Sequence, residues 1–148
     1  MSQFYYVFIY FEPGLIVNLF FRLFDNENVG NLARSGRITW TSYYRVADIN
    51  TWLDSLAVDY PGVVTVISAG KSYENRDIKG VKISFKTGKR NVFIEGGIHA
   101  REWIAPATVT YIINEVLTST DPTFRKIAES FDWYLFPSTN PDGYEYSH

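Results

Sequence analysis

The stretch Asn91-Val92-Phe93-Ile94-Glu95-Gly96-Gly97-Ile98-His99-Ala100-Arg101-Glu102-Trp103-Ile104 changes character twice within fourteen residues. It opens as a β-branched and aromatic run that reads as a strand, and that run stops at two glycines. A His-x-x-Glu pair follows at once, and an apolar pattern at helical spacing begins after it. Open α/β sheets gather their ligands at the carboxyl ends of strands, so this layout puts an imidazole and a carboxylate where a ligand is expected. Zinc accepts both donor types, and a catalytic zinc takes three protein ligands and leaves a position open for water. His99 and Glu102 are therefore candidates for two of those three. The same spacing also makes two residues ordinary neighbours on one helix face, so the pair alone leaves both readings open.

Working outward, the flanking periodicities give the fold class. Val46, Ile49, Trp52, Leu53 and Leu56 recur at helical spacing, and Pro61-Gly62 closes that helix. Val63 to Ala69 reads as a valine-rich strand, and Ile78 to Phe85 alternates. Thr87-Gly88-Lys89-Arg90 is expected to turn that strand back into Asn91–Glu95 as a hairpin. Trp103 to Leu117 predicts a helix with Ile104, Val109, Ile112, Ile113 and Val116 on its apolar side, and Pro106 is tolerable in its first turn. Glu102 is then expected one helical turn after His99, close enough to the helix N-terminus for its negative charge to be favoured. Asp121-Pro122 reads as a cap followed by proline, Trp133 to Phe136 as a buried strand, and Asn140-Pro141-Asp142-Gly143 as a turn. Strands interleaved with helices imply an α/β fold, a mixed β-sheet with flanking helices.

At 148 residues the chain is one domain at most, long enough to bury a core, and its 46% apolar content fits a globular protein. A net charge of -2 offers no broad basic surface for nucleic acid or anionic membrane. The absence of cysteine excludes disulfides and thiolate metal sites. Near the N-terminus, Phe4 to Phe11 and Leu15 to Phe24 are apolar runs broken by Glu12-Pro13-Gly14. That break defeats a membrane span, and there is neither a basic start nor an Ala-x-Ala site for a signal peptide. Asp25 to Arg37 is polar and reads as a linker, which sets a boundary near Gly36.

The phrase Gly97-Ile98-His99-Ala100-Arg101-Glu102-Trp103-Ile104, with Asn140-Pro141-Asp142-Gly143-Tyr144 downstream, resembles the zinc metallocarboxypeptidases of the digestive A/B type. Tyr43 to Leu56 looks like the first catalytic-domain helix of that family. Gly70-Lys71-Ser72-Tyr73-Glu74-Asn75-Arg76-Asp77-Ile78 is similar to its Gly-x-Ser-x-Glu-x-Arg turn. The likeness runs from about Thr39 to His148 and divides the chain into an atypical segment and linker, 1–36, and a partial catalytic domain, 37–148.

The resemblance implies a zinc-dependent peptide hydrolase that removes C-terminal residues from peptides and proteins outside the cell. It makes His99 and Glu102 the first two ligands of one Zn2+ and assigns Arg101 to the substrate groove. It leaves His148, the other histidine, as a non-ligand. Trp103 and Tyr144 read as packing residues. The family's third zinc histidine, its oxyanion and carboxylate-binding arginines, its closing tyrosine and its general-base glutamate have no counterparts in this sequence. On this reading the chain is the N-terminal half of the catalytic domain, a truncated sheet with unpaired edge groups and no complete set of catalytic residues. The alternative is a catalytically inactive, truncated or degenerate remnant acting as a binding module.

Overall fold

A computed structural model describes residues 4–8, 38–86 and 89–148 of the protein. Nine elements follow one another among these residues: β1 (Phe4–Phe8), α1 (Val46–Asp59), β2 (Val64–Lys71), β3 (Asp77–Ile83), β4 (Arg90–Glu95), α2 (Ile104–Thr118), α3 (Pro122–Ala128), β5 (Phe131–Phe136) and α4 (Pro141–Ser147). The strands form one mixed sheet in the order β1-β4-β5-β3-β2. β4 runs parallel to both β1 and β5, while β3 runs antiparallel to β5 and β2. This is the mixed α/β sheet with flanking helices that the sequence implies.

β5 is the central strand, and its composition explains why. Trp133 and Leu135 face the same side as Val92 and Ile94 of β4, their register partners, and as Ile83 and Val81 of β3. Those six side chains, with Val64, meet the apolar stripes of α1 and α2 in a single core. Leu53, Ile113 and Leu135 are fully buried there, and burying a side chain of that kind stabilises the fold by about 1.5–3 kcal/mol. None of the described helices is long and apolar enough to cross a membrane.

Three local expectations are corrected. β3 and β4 do not form a hairpin, because β5 lies between them and pairs with both. A short gap between two strands favours direct pairing only when no third strand competes, and β5 buries apolar side chains against each neighbour. The antiparallel hairpin is instead β2–β3, closed through the turn at 72–76, where Asn75 takes a left-handed backbone with φ 64°. The expected turn residues Thr87 and Gly88 lie outside the described residues. Asn140-Pro141-Asp142-Gly143 is the start of a helix, not a free turn: Asn140 caps it by accepting from the Gly143 N–H at 3.0 Å, and Pro141 takes the first position. Finally, Glu102 does not stand one helical turn after His99: both precede α2, which begins at Ile104, and a tight turn joins them.

In the N-terminal region, Phe4–Phe8 pair along β4 from Asn91 to Glu95. β1 thus lines one side of β4 and forms one edge of the sheet, and β2 is the edge strand on the other side. The boundary near Gly36 and the rest of the apolar segments fall outside the described residues.

Candidate metal site at the carboxyl ends of two parallel strands

β4 and β5 end level with each other, Glu95 beside Phe136. The segment leaving β4 carries His99, Arg101 and Glu102, and the segment leaving β5 runs alongside it and becomes α4. Gly97 lets the first of these turn off the sheet: its φ is +71°, and a Cβ there would meet the Pro137 carbonyl oxygen and Ser138 Cα at 3.1 Å. Only glycine takes that conformation without strain while sitting so close to a neighbouring backbone.

The two segments are joined almost residue by residue. Gly96 N–H donates to the Phe136 carbonyl at 2.9 Å, and its own carbonyl accepts from Thr139 N–H at 3.0 Å. The Gly97 carbonyl accepts from Asn140 N–H at 3.2 Å, and that of Ile98 from Asn140 Nδ2 at 3.1 Å. The Ala100 carbonyl accepts from the Ser147 hydroxyl at 2.8 Å. The turn closes on itself where Glu102 N–H donates to the His99 carbonyl at 3.1 Å. Gly143 permits the close approach of α4, since a Cβ there would stand 3.0 Å from that of Ala100 and 2.6 Å from Asn140 Nδ2.

The backbone is held while the side chains of interest stay outside. His99 Nδ1 lies 3.0 Å from Glu102 Oε1, and the two side chains are 56% and 53% exposed. The two are hydrogen-bonded to each other. Two ligands at about 2.0–2.1 Å from one tetrahedral zinc stand roughly 3.3 Å apart, so a small separation of the pair would admit a shared ion. An imidazole nitrogen and a carboxylate oxygen are also the donor types zinc takes in mixed sites. Among the described residues no group of three or more His, Cys, Asp or Glu stands together, so the structure brings two candidate ligands together and no third. Arg101 is exposed beside them and makes no hydrogen bond or ion pair with the described residues.

His148 is held elsewhere. Its ring stacks flat on Trp103, with Tyr144 against it edge-on. Tyr144 is buried, donates its hydroxyl to the Tyr44 carbonyl at 2.9 Å, and has its pKa driven up by burial, then by Glu145 and Tyr43. Both aromatic residues are packing groups, as expected.

Two contributors escaped the sequence reading. Asp142 receives Ser72 Oγ at 2.7 Å, Glu74 N–H at 2.9 Å and Arg76 Nη1 at 2.6 Å, tying the β2–β3 turn to α4. Both partners lie in phrases singled out by resemblance, but no spacing rule links residues 70 apart. Ser147 is the second, a lone hydroxyl with no local signal.

The sequence model of the zinc carboxypeptidase family matches residues 49–148. Zinc carboxypeptidase A 1 of Anopheles gambiae is 52% identical over 128 residues, covering 85% of this chain and 30% of that protein. Carboxypeptidase B of Astacus astacus is 52% identical over 110 residues, covering 73% of this chain and 36% of that protein. Among solved structures, carboxypeptidase A from Helicoverpa armigera superposes with a TM-score of 0.70 at 28% identity, covering 89% of this chain and 33% of that one. The chain thus spans about a third of the length of the curated relatives it matches. With the family model covering residues 49–148, two thirds of the sequence, and the sheet superposing on a solved carboxypeptidase, the chain belongs to the zinc carboxypeptidase family.

Proposed function

We propose that residues 37–148 supply the zinc-binding front of an extracellular metallocarboxypeptidase, a hydrolase that removes C-terminal residues from peptides and proteins. The observation that carries this reading is the 3.0 Å approach of His99 Nδ1 to Glu102 Oε1 on a braced turn at the carboxyl ends of β4 and β5. His99 and Glu102 would hold the ion, and a third ligand comes from outside the described residues. An ion held there would supply Lewis-acid polarisation of a carbonyl and a water of lowered pKa.

The chain's own residues prepare that site. Backbone hydrogen bonds from Thr139 and Asn140 fix the approach to the turn at Gly96 and Gly97, so that stretch of backbone has little freedom left to lose when an ion is taken up. Arg101, charged and without a partner among the described residues, is available to an anionic or carbonyl group of a peptide beside the ion. Glu102, committed to the metal, is not free to act as a general base, so none of the proposed site residues performs proton transfer.

Zinc titration of the 148-residue chain tests this reading. Weak one-to-one binding that is stripped by chelators and lost in the double variant His99→Ala, Glu102→Ala is the expected result. Binding of unchanged strength in the double variant would refute the assignment.

A further inference from the structure

The Ser147 hydroxyl sits where three polar contacts around the turn converge. Its Oγ lies 2.8 Å from the Ala100 carbonyl and 2.8 Å from the Tyr144 carbonyl, and it accepts from the Trp103 indole Nε1 at 2.8 Å. Ala100 follows His99 in the chain and Trp103 follows Glu102. One hydroxyl, 44 residues further along, therefore holds both ends of the Ala100–Trp103 segment that contains Arg101 and Glu102. A hydroxyl has one proton and two lone pairs, so it can accept from the indole and donate to one of the two carbonyls at a time.

We propose that Ser147 is a positioning residue for the metal pair, setting the distance between His99 Nδ1 and Glu102 Oε1 through Ala100 and Trp103. The inference rests on the zinc reading above. The rest of the brace cannot do this work. Thr139 and Asn140 reach only Gly96, Gly97 and Ile98, on the near side of His99. Beyond His99 the other hydrogen bonds are the direct one within the pair, His99 Nδ1 with Glu102 Oε1 at 3.0 Å, which an ion would replace, and those of the turn and helix themselves, Glu102 N–H to the His99 carbonyl and Ala105 N–H to the Glu102 carbonyl. Without Ser147, the carboxylate end of the pair would keep its local turn but lose its polar tie to α4. Trp103 would also lose the acceptor for its indole N–H, leaving the ring held only by its stacking and edge contacts with His148, Tyr43 and Tyr144.

Zinc alone, titrated into the full chain, is the probe, with secondary structure checked for each variant by circular dichroism. Ser147→Thr keeps the hydroxyl, and Ser147→Val has the same side-chain shape without it, so any packing change falls on both. Ser147→Thr is expected to bind within about threefold of the native chain, and Ser147→Val to bind about tenfold or more weakly, the usual effect of losing an outer support of a ligand. Trp103→Phe, which deletes the indole donor and keeps an aromatic ring, is expected to weaken binding in the same direction and serves if Ser147→Val fails to fold. Equal affinity in these variants, with His99→Ala still weakening binding, would overturn the positioning role and leave the zinc reading intact. Unchanged affinity in His99→Ala would instead bring down the zinc reading, and the role of Ser147 with it.

Discussion

The imidazole of His148 lies flat on the indole of Trp103, with ring centroids 4.1 Å apart and planes within 5°. That contact, with Tyr144 edge-on, engages the histidine ring in packing, and it forms no group of metal-binding residues with His99 and Glu102. His148→Ala is therefore expected to leave zinc affinity within about twofold, because no ligand is lost. It should lower thermal stability through the lost ring contact, worth about 0.5–1.5 kcal/mol for aromatic pairs. A zinc affinity that collapses in this variant would return His148 to the list of ligands.

The same contact gives a pH dependence with a definite sign. Burial, and then the Arg45 charge, hold the His148 pKa below its ordinary 6.5, against an opposing pull from Glu145. The unfolded chain consequently takes up the proton first. This contribution to stability is complete above pH 6.5 and declines as pH falls through that value toward the lowered folded pKa. Thermal melts between pH 7.5 and 5 should show the decline in the native chain and a flatter profile in His148→Gln. Parallel profiles for the two proteins would count against it.

Asp142 acts in a lower pH window. Its partial desolvation raises the pKa, but the Glu74 N–H, the Ser72 hydroxyl and the Arg76 guanidinium outweigh that and hold it below 3.8. Stability from this carboxylate is present above pH 3.8 and is lost as pH falls through the lowered folded value. Asp142→Asn should remove that acid-sensitive component and loosen the β2–β3 turn from α4. Faster amide exchange at Glu74 in the variant is the measurement, and unchanged exchange would show that the turn holds without the carboxylate.

The sequence told most where side-chain chemistry is local. The apolar spacing of Val46 through Leu56 gave α1, and Asp121-Pro122 gave the start of α3, where Asp121 caps Phe124 N–H at 2.8 Å. Gly96-Gly97 followed by His-x-x-Glu placed the candidate ligands at a strand end, where the structure has them. Strand pairing was less legible. β3 and β4 are neighbours in sequence but not in the sheet, because the strand between them is contributed by residues 131–136 and is chosen by long-range packing of Trp133 and Leu135. The supports of the site were hidden for the same reason. Ser147 and Asp142 act on residues 44 to 70 positions away, a distance at which no periodicity carries information.

Glu145 joins the first and last described helices. Its carboxylate accepts the first amide of α1, Val46 N–H, at 2.7 Å, and also pairs with Arg45 at 3.1 Å. α1 has no side-chain cap of its own from Arg45, so this carboxylate stands in for one. Glu145→Ala should cost about 1 kcal/mol, the usual effect of losing an N-cap acceptor, and Glu145→Gln, which keeps an oxygen acceptor, should cost less. Denaturant unfolding of the two variants checks the order, and equal losses would mean that the ion pair, not the cap, is what matters.

Catalysis is where family membership and the content of this chain separate. Hydrolysis of a C-terminal peptide bond needs a polarised carbonyl, a water activated by a base, and a cation that holds the free carboxylate. The chain brings His99 and Glu102 together as candidate ligands and leaves Arg101 beside them as a cation. No third metal-binding group joins them among the described residues, and Glu102 cannot be both ligand and base. Residues 1–148 supplied with zinc are therefore expected to release no C-terminal amino acids from test peptides. Joining them to the part of the Anopheles gambiae relative that lies beyond its region of similarity should bring release back, since that region is only 30% of the relative's length. His99→Ala in the joined protein should abolish release again, and Arg101→Ala should weaken substrate binding more than zinc binding. Chelator-sensitive release by the 148-residue chain alone would sink this prediction, because it would require a third ligand and a base from within the chain itself.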